Sequence, residues 1–238
     1  MQITERQQRL LEKIIKEFVA TAQPVSSKAL ETSGFLDVSS ATIRGEMNEL
    51  ERMGYLEQPH TSAGRVPTDK GYRLFVDSLK ERNKTKNEDR LRSTLRRIVE
   101  LKQEEGELFA ELARAVAVLS GSTVFSGPLE SKMLYKAGMN EVLSQPELAD
   151  FDIRSRFGDV LDSFEENVDE FARELDERKP TVFIGKENPI VRARNFSMIA
   201  SRCRIGGNED GIIVILGPTR MNYKKNLEVL DTLLHLLS

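Results

Sequence analysis

The sequence predicts an α+β chain with three parts. These are an N-terminal winged helix-turn-helix over 1–80, a charged hinge with a long linking helix over 81–121, and a C-terminal α+β domain over 122–238. Three observations carry this. A helical stripe from Val38 has a doubly marked start, Ser39-Ser40, and is followed by two short strand-like segments around a polar tip. Two further capped helical segments precede it. Beyond residue 120, apolar runs of strand length alternate with long amphipathic stretches.

Taken in order, Thr4 is a fitting N-cap and Gln7 stands at the capping-box position. Leu10, Leu11, Ile14, Ile15, Phe18 and Val19 then recur as one broad apolar face, ending near Thr21 before Gln23-Pro24. Ser26 caps a short helix, Ser27 to Glu31, with Ala29 and Leu30 facing inward, and Thr32-Ser33-Gly34 closes it. The third helix carries Ile43, Met47 and Leu50 on its apolar stripe and stops at Gly54. Tyr55 to Gln58 and Arg65 to Pro67 are the predicted strands of a hairpin. Thr68 caps a further helix from Asp69 to about Arg82, with Tyr72, Phe75, Val76 and Leu79 as its packing face.

The first turn of the third helix has the chemistry of a DNA-reading element. Such a helix enters the major groove N-terminus first, so its leading residues must be small and carry donors and acceptors. Ser39, Ser40, Thr42 and Arg44 meet both needs, with Asn48 one turn beyond Arg44. Arg44 is the candidate for a guanine edge. In the hairpin tip, His60, Thr61, Ser62 and Arg65 surround the small Ala63 and Gly64. A tip so built can approach phosphates, and Arg65 is placed to enter the minor groove or bridge phosphates. Lys28 is expected near the backbone of the same duplex. The plain alternative is a capped amphipathic helix and a solvated turn.

The hinge, Lys80 to Lys86, is rich in Lys, Arg and Asn. Asn87 or Ser93 caps the linking helix, and Leu91, Leu95, Ile98, Phe109, Leu112, Val116 and Leu119 fall on a heptad-like seam broken by Lys102, Glu105 and Gly106. Such a seam either pairs two copies of the chain or packs on its own domain. Pairing is the preferred reading, because helix-turn-helix readers of DNA commonly act as two-fold pairs.

In the C-terminal part, Thr123 to Ser126, Lys132 to Lys136, Thr181 to Ile184, Phe196 to Arg204 and Gly211 to Leu216 are predicted strands, the last two an antiparallel pair. Phe151 to Leu175 is helical, with Phe157, Leu161, Phe164, Val168, Phe171 and Leu175 on one face. Thr219 is the expected cap of a final helix bearing Leu227, Leu230, Leu233, Leu234 and Leu237.

Composition narrows the function classes. The formal net charge is −3, so no global basic field marks a nucleic-acid binder, although local patches matter more than the sum. The single cysteine, Cys203, excludes an intramolecular disulfide and lies in a strand pattern that reads as core. The charged N-terminus and the lack of a long apolar run argue against a signal peptide or membrane span, so a cytoplasmic protein is expected. His60 and His235 are far apart in sequence, and no phosphate loop, nucleophile elbow or metal-ligand cluster is present. A non-enzyme without cofactor or metal is expected.

The segments TERQ, PVSSKAL, SSATIRGEMNELERMGYLEQPHTSAGRVPTDKGYR, LSQPEL, ENP, RIGG and ILGPTRMNY together resemble the HrcA family of bacterial heat-inducible transcription repressors. That resemblance implies a C-terminal GAF-like domain, here partial. The family's members are longer, with an inserted dimerisation domain between the winged domain and the LSQPEL region. It further implies binding of an inverted-repeat operator of CIRCE type upstream of chaperone operons, a homodimer, and assistance by the chaperonin GroEL. A ligand-sensing winged-helix regulator using its GAF-like domain is the alternative.

Overall fold

The computed structural model describes residues 3–35, 38–79, 88–101, 105–131, 133–176, 179–205 and 209–237. The chain divides into two compact units, Met1–Arg82 and Asn83–Ser238.

The first unit runs α1 (Glu5–Thr21), α2 (Ser27–Thr32), α3 (Ser40–Arg52), β1 (Leu56–Glu57), β2 (Val66–Pro67) and α4 (Asp69–Leu79). The capping box forms as the residue spacing predicts. Gln7 N donates to Thr4 Oγ1 at 3.2 Å, and Thr4 N donates to Gln7 Oε1 at 3.0 Å. Leu10, Leu11, Ile14 and Ile15 of α1 meet Leu30, Ile43, Met47, Leu50, Tyr72, Phe75 and Val76 in one core. Each such side chain contributes about 1.5–3 kcal/mol by leaving water. Phe18 and Val19 are only half-buried. Ala29 is exposed, contrary to the inward position expected of it, and Ser27 is buried instead. Ser27 Oγ meets the Ser40 hydroxyl of α3 at 3.0 Å. Gly54 ends α3 with φ at +78°, a conformation that favours glycine.

The hairpin strands are shorter than their sequence pattern suggests, pairing only Leu56 with Pro67 and Glu57 with Val66. Pro67 has no N–H to extend the ladder. Arg65 leaves the hairpin to bridge the segment between α1 and α2, exchanging backbone hydrogen bonds with Val25 at 3.0 and 2.9 Å. Thr68 caps α4, accepting from Gly71 N at 3.2 Å. The expected reach of α4 to Arg82 and the hinge over 80–86 lie outside the described residues.

The second unit contains α5 (Glu88–Leu101), α6 (Glu105–Ser120), β3 (Thr123–Pro128), β4 (Tyr135–Ala137), α7 (Met139–Leu143), α8 (Phe151–Arg173), β5 (Thr181–Ile184), β6 (Phe196–Ile205), β7 (Glu209–Pro218) and α9 (Tyr223–Leu237). Its antiparallel sheet has the order β4-β3-β7-β6-β5. Strand alternation gives the sheet two buried faces. Phe125, Val214, Ala200, Met198 and Leu216 meet α8 through Phe157, Val160, Phe164, Val168 and Phe171. Phe164 packs on Phe125 with centroids 4.6 Å apart and on Phe171 at 5.3 Å. The other face is covered by α6 and α9.

The expected linking helix is described as α5 and α6, with 102–104 between them outside the described residues. Of the expected seam, Leu95, Phe109, Leu112 and Val116 are buried within this unit, where α5 packs on α9 and α6 on β3, β4 and α9, while Leu91, Ile98 and Leu119 are half-buried. The cap of α9 is Asn222, whose Oδ1 accepts from Lys225 N at 3.1 Å. Thr219 instead donates to Asn195 O at 3.4 Å, because β7 runs on to Pro218 and the helix begins only at Tyr223.

Candidate nucleic-acid interface

The face of interest is the outer side of α3, and its backing is unusually well tied. Ser39 Oγ accepts from Thr42 N at 3.3 Å, and its hydroxyl lies 3.1 Å from that of Thr42. Ser40 N donates to Glu31 Oε1 at 2.7 Å, and Ser40 Oγ donates to Ser27 Oγ at 3.0 Å. Arg6 of α1 pairs with Glu46 on the far side. Ile43, Met47 and Leu50 are buried beneath. The helix is therefore fixed on α1 and α2 at both its start and its middle.

Ala41, Thr42, Arg44, Gly45, Asn48 and Arg52 remain exposed on α3. Ala41, Gly45, Asn48 and Arg52 follow one line along it, at successive turns. Arg44 stands beside that line without an ion pair among the described residues. A Cβ added at Gly45 would meet nothing within 4 Å, so no intramolecular packing calls for glycine there. Glycine inside a helix costs about 1 kcal/mol relative to alanine. Ala41 and Gly45 were not among the residues singled out from sequence, though a mid-helix glycine is a readable signal.

Of the expected site residues, Ser39, Thr42, Arg44 and Asn48 lie on or beside this face, and Lys28 is exposed on α2. Ser40 is tied to Ser27 and Glu31, so its hydroxyl and amide serve the α2–α3 joint first. At the hairpin tip, His60, Thr61 and Ser62 are exposed. Gln58 Nε2 holds the tip, donating to Thr61 O at 3.0 Å and Ala63 O at 2.9 Å.

Arg65, expected to enter the minor groove or bridge phosphates, is engaged within its own unit. Its side chain is 14% exposed, its Nε donates to Glu51 Oε2 at 2.9 Å, and its Nη2 donates to Asn48 Oδ1 at 3.0 Å. The pairing is physical: a planar guanidinium fork matches a carboxylate and a carbonyl oxygen arranged side by side on one helix face. Gly64 is likewise small for an internal reason. A Cβ there would sit 2.3 Å from Val25 O, the carbonyl that pairs with Arg65.

In the second unit the quoted motifs resolve into internal fastenings. Asn188 Nδ2 donates to Gly185 O, Ala193 O and Phe196 O at 2.7 to 3.2 Å, organising the 185–196 connection. Arg220 pairs with Glu147 and donates to Gln145 Oε1 at 2.9 Å, joining the LSQPEL and GPTRMNY segments. Tyr223 OH donates to Thr219 O at 2.6 Å and lies 2.7 Å from Ser197 Oγ. Cys203 is buried in β6. Desolvation, with a smaller push from Asp210, raises its thiol to about 12, so it is not a poised nucleophile. Among the described residues no cluster of three or more His, Cys, Asp or Glu side chains could hold a metal. Among them too, no helix is long and apolar enough to cross a membrane.

Comparison with known proteins places the chain. A family model described as the HrcA protein C terminal domain matches residues 67–227, more than half of the sequence. The chain belongs to the HrcA family. A heat-inducible transcription repressor HrcA from Desulforudis audaxviator is 38% identical over 157 residues, covering 62% of this chain and 46% of that protein. One from Desulforamulus reducens is 46% identical over 124 residues, covering 52% of this chain and 35% of its own length. The chain thus spans less than half of these two HrcA relatives. With the HrcA of Brevibacillus brevis the match is 25% over 333 positions, 99% of this chain and 97% of that protein. That count exceeds the 238 residues here, so the longer HrcA relative carries residues without a counterpart in this chain. A crystal structure of a hypothetical protein shares the fold, with a TM-score of 0.77 and 21% identity, covering 100% of this chain and 98% of that one.

Proposed function

We propose that this chain is a sequence-specific DNA-binding transcription repressor. Its first unit acts as a winged helix-turn-helix, with α2 and α3 as the helix-turn-helix and the β1–β2 hairpin as the wing. The observation that carries the reading is the outer face of α3. It is small, polar and exposed where a groove must be approached, and rigidly tied behind. Thr42, Arg44 and Asn48 supply donors and acceptors for base edges. Ser39, Lys28 and the tip residues His60, Thr61 and Ser62 are set to position the phosphate backbone. Support comes also from the relatives, which are named heat-inducible transcription repressors.

On this reading the operator is an inverted repeat of CIRCE type before chaperone operons, read by a homodimer. The second unit is a GAF-like regulatory domain, and chaperonin GroEL brings the repressor to its active form. Heat diverts the chaperonin to unfolded clients and so relieves repression. Leu95, Phe109, Leu112 and Val116 are buried in their own unit, so these four side chains do not supply the dimer contact. The test is a fluorescence anisotropy titration of labelled duplexes taken from upstream of the host's chaperone operons, against random duplex, over a range of salt. The expected result is an apparent Kd of about 10⁻⁸ M or tighter at physiological salt, at least a thousandfold below that for random duplex. Equal affinity for both duplexes, or no binding, overturns it.

A further inference from the structure

We infer that Asn48 is a specificity-determining residue for the DNA read by α3, and that Arg65 is the positioning residue that sets which way its amide points; this rests on the DNA-binding reading above. An asparagine amide has one accepting end and one donating end. Arginine can only donate. The 3.0 Å contact from Arg65 Nη2 therefore fixes Oδ1 of Asn48 toward the hairpin and turns its Nδ2 the other way. Asn48 is exposed, and its Nδ2 has no hydrogen-bond partner among the described residues.

Arg65 is in turn held rigidly. Glu51 fixes its Nε at 2.9 Å. Its backbone is paired with Val25, and the neighbouring Gly64 packs against the carbonyl of Val25. The chain thus presents two N–H groups of Nδ2 at a set orientation, one turn beyond Arg44. An asparagine free to use both ends would favour adenine, through N6 and N7 together. With the accepting end engaged, Asn48 becomes a reader of acceptor edges. Guanine O6 and N7, adenine N7 and thymine O4 qualify, whereas the N4 amino group of cytosine offers only a donor and is rejected.

The experiment is enrichment from a pool of duplexes with a randomised centre, followed by sequencing, with wild type, Asn48→Ala and Arg65→Lys. Lysine keeps the positive charge and can still pair with Glu51, but it lacks the fork that also holds Asn48. Circular dichroism and thermal melting confirm that each variant is folded. Asn48→Ala and Arg65→Lys should each lose selectivity at the same base position, by about two- to tenfold, as for one hydrogen bond. Their affinity for random duplex should stay within twofold of wild type. If wild type enriches a motif that Asn48→Ala leaves unchanged, the inference is wrong and the DNA-binding reading stands. If Arg65→Lys keeps the full motif, Arg65 does not position Asn48. If wild type enriches no motif at all, the DNA-binding reading itself is lost and this inference with it.

Discussion

Replacing Gly45 with alanine separates the two reasons for which a helix can carry a glycine. One is internal: a neighbouring backbone leaves no room for a methyl group. The structure excludes that, since an added Cβ meets nothing within 4 Å and the site is exposed. The other is external: a partner must come close. Alanine inside a helix is favoured over glycine by about 0.8–1 kcal/mol, which in a domain of the first unit's size corresponds to about 4–8 °C in Tm. The variant should therefore be more stable alone. Against DNA the methyl group stands between α3 and the groove floor, and crowding of a close-packed contact costs about 1–3 kcal/mol. Affinity for the enriched duplex should then fall roughly fivefold or more. Gly158 on α8 is the control, being also without neighbours within 4 Å. Gly158→Ala should stabilise and leave DNA binding untouched. Differential scanning calorimetry and anisotropy titration together decide the matter. A Gly45→Ala variant that is stabilised yet binds DNA like wild type would refute the close-approach argument.

Four further outcomes follow from the same structure. Arg44→Ala should cost about 1–3 kcal/mol on the enriched duplex and little on random duplex, measured by competition anisotropy. Gly64→Ala forces a Cβ to 2.3 Å from Val25 O and should destabilise the first unit by about 2–4 kcal/mol in urea unfolding. Arg220→Ala leaves Glu147 and Gln145 without their shared donor and should destabilise the second unit by about 2–3 kcal/mol, read by the same method. The Cys203 thiol is raised from 9.0 to about 12 by burial, so the folded state favours the neutral form. Its contribution is fully present below pH 9 and is lost as pH rises toward 12, and native protein at pH 8 should resist thiol alkylation until denatured.

What the sequence made legible was local. Thr4 with Gln7, Ser26, Ser39 and Thr68 are caps whose partners lie three residues away, and each forms. The apolar stripes of α1, α3 and α8 obey a 3.6-residue period that any reader can count. The antiparallel pair Phe196–Ile205 and Glu209–Pro218 is adjacent in sequence, so its pairing was equally plain.

Contacts between distant residues were not legible. Arg65 meets Asn48 and Glu51 across 17 and 14 positions, and an arginine beside a hairpin tip looks the same whether it grips phosphate or a neighbouring helix. Arg220 meets Glu147 across 73 positions. Ser27 meets Ser40 across 13 positions and is buried while Ala29 is exposed, an order that hydrophobicity alone would not suggest. The seam through Leu95, Phe109, Leu112 and Val116 had the period of a coiled coil, but period does not say whether a second copy or the chain's own sheet covers it. Thr219 and Asn222 are both good caps, and only the length of β7 chooses between them.

On the DNA-binding reading, the front and outer face of α3 meets base edges. Dimethyl sulfate methylates guanine at N7, on the floor of the major groove, so protection from it reports that contact at single bases. Footprinting of wild type on its enriched duplex should show protected guanines in each half of the repeat, and Arg44→Ala should expose one of them in each half again. A bound complex in which every N7 remains as reactive as in free DNA would contradict the account.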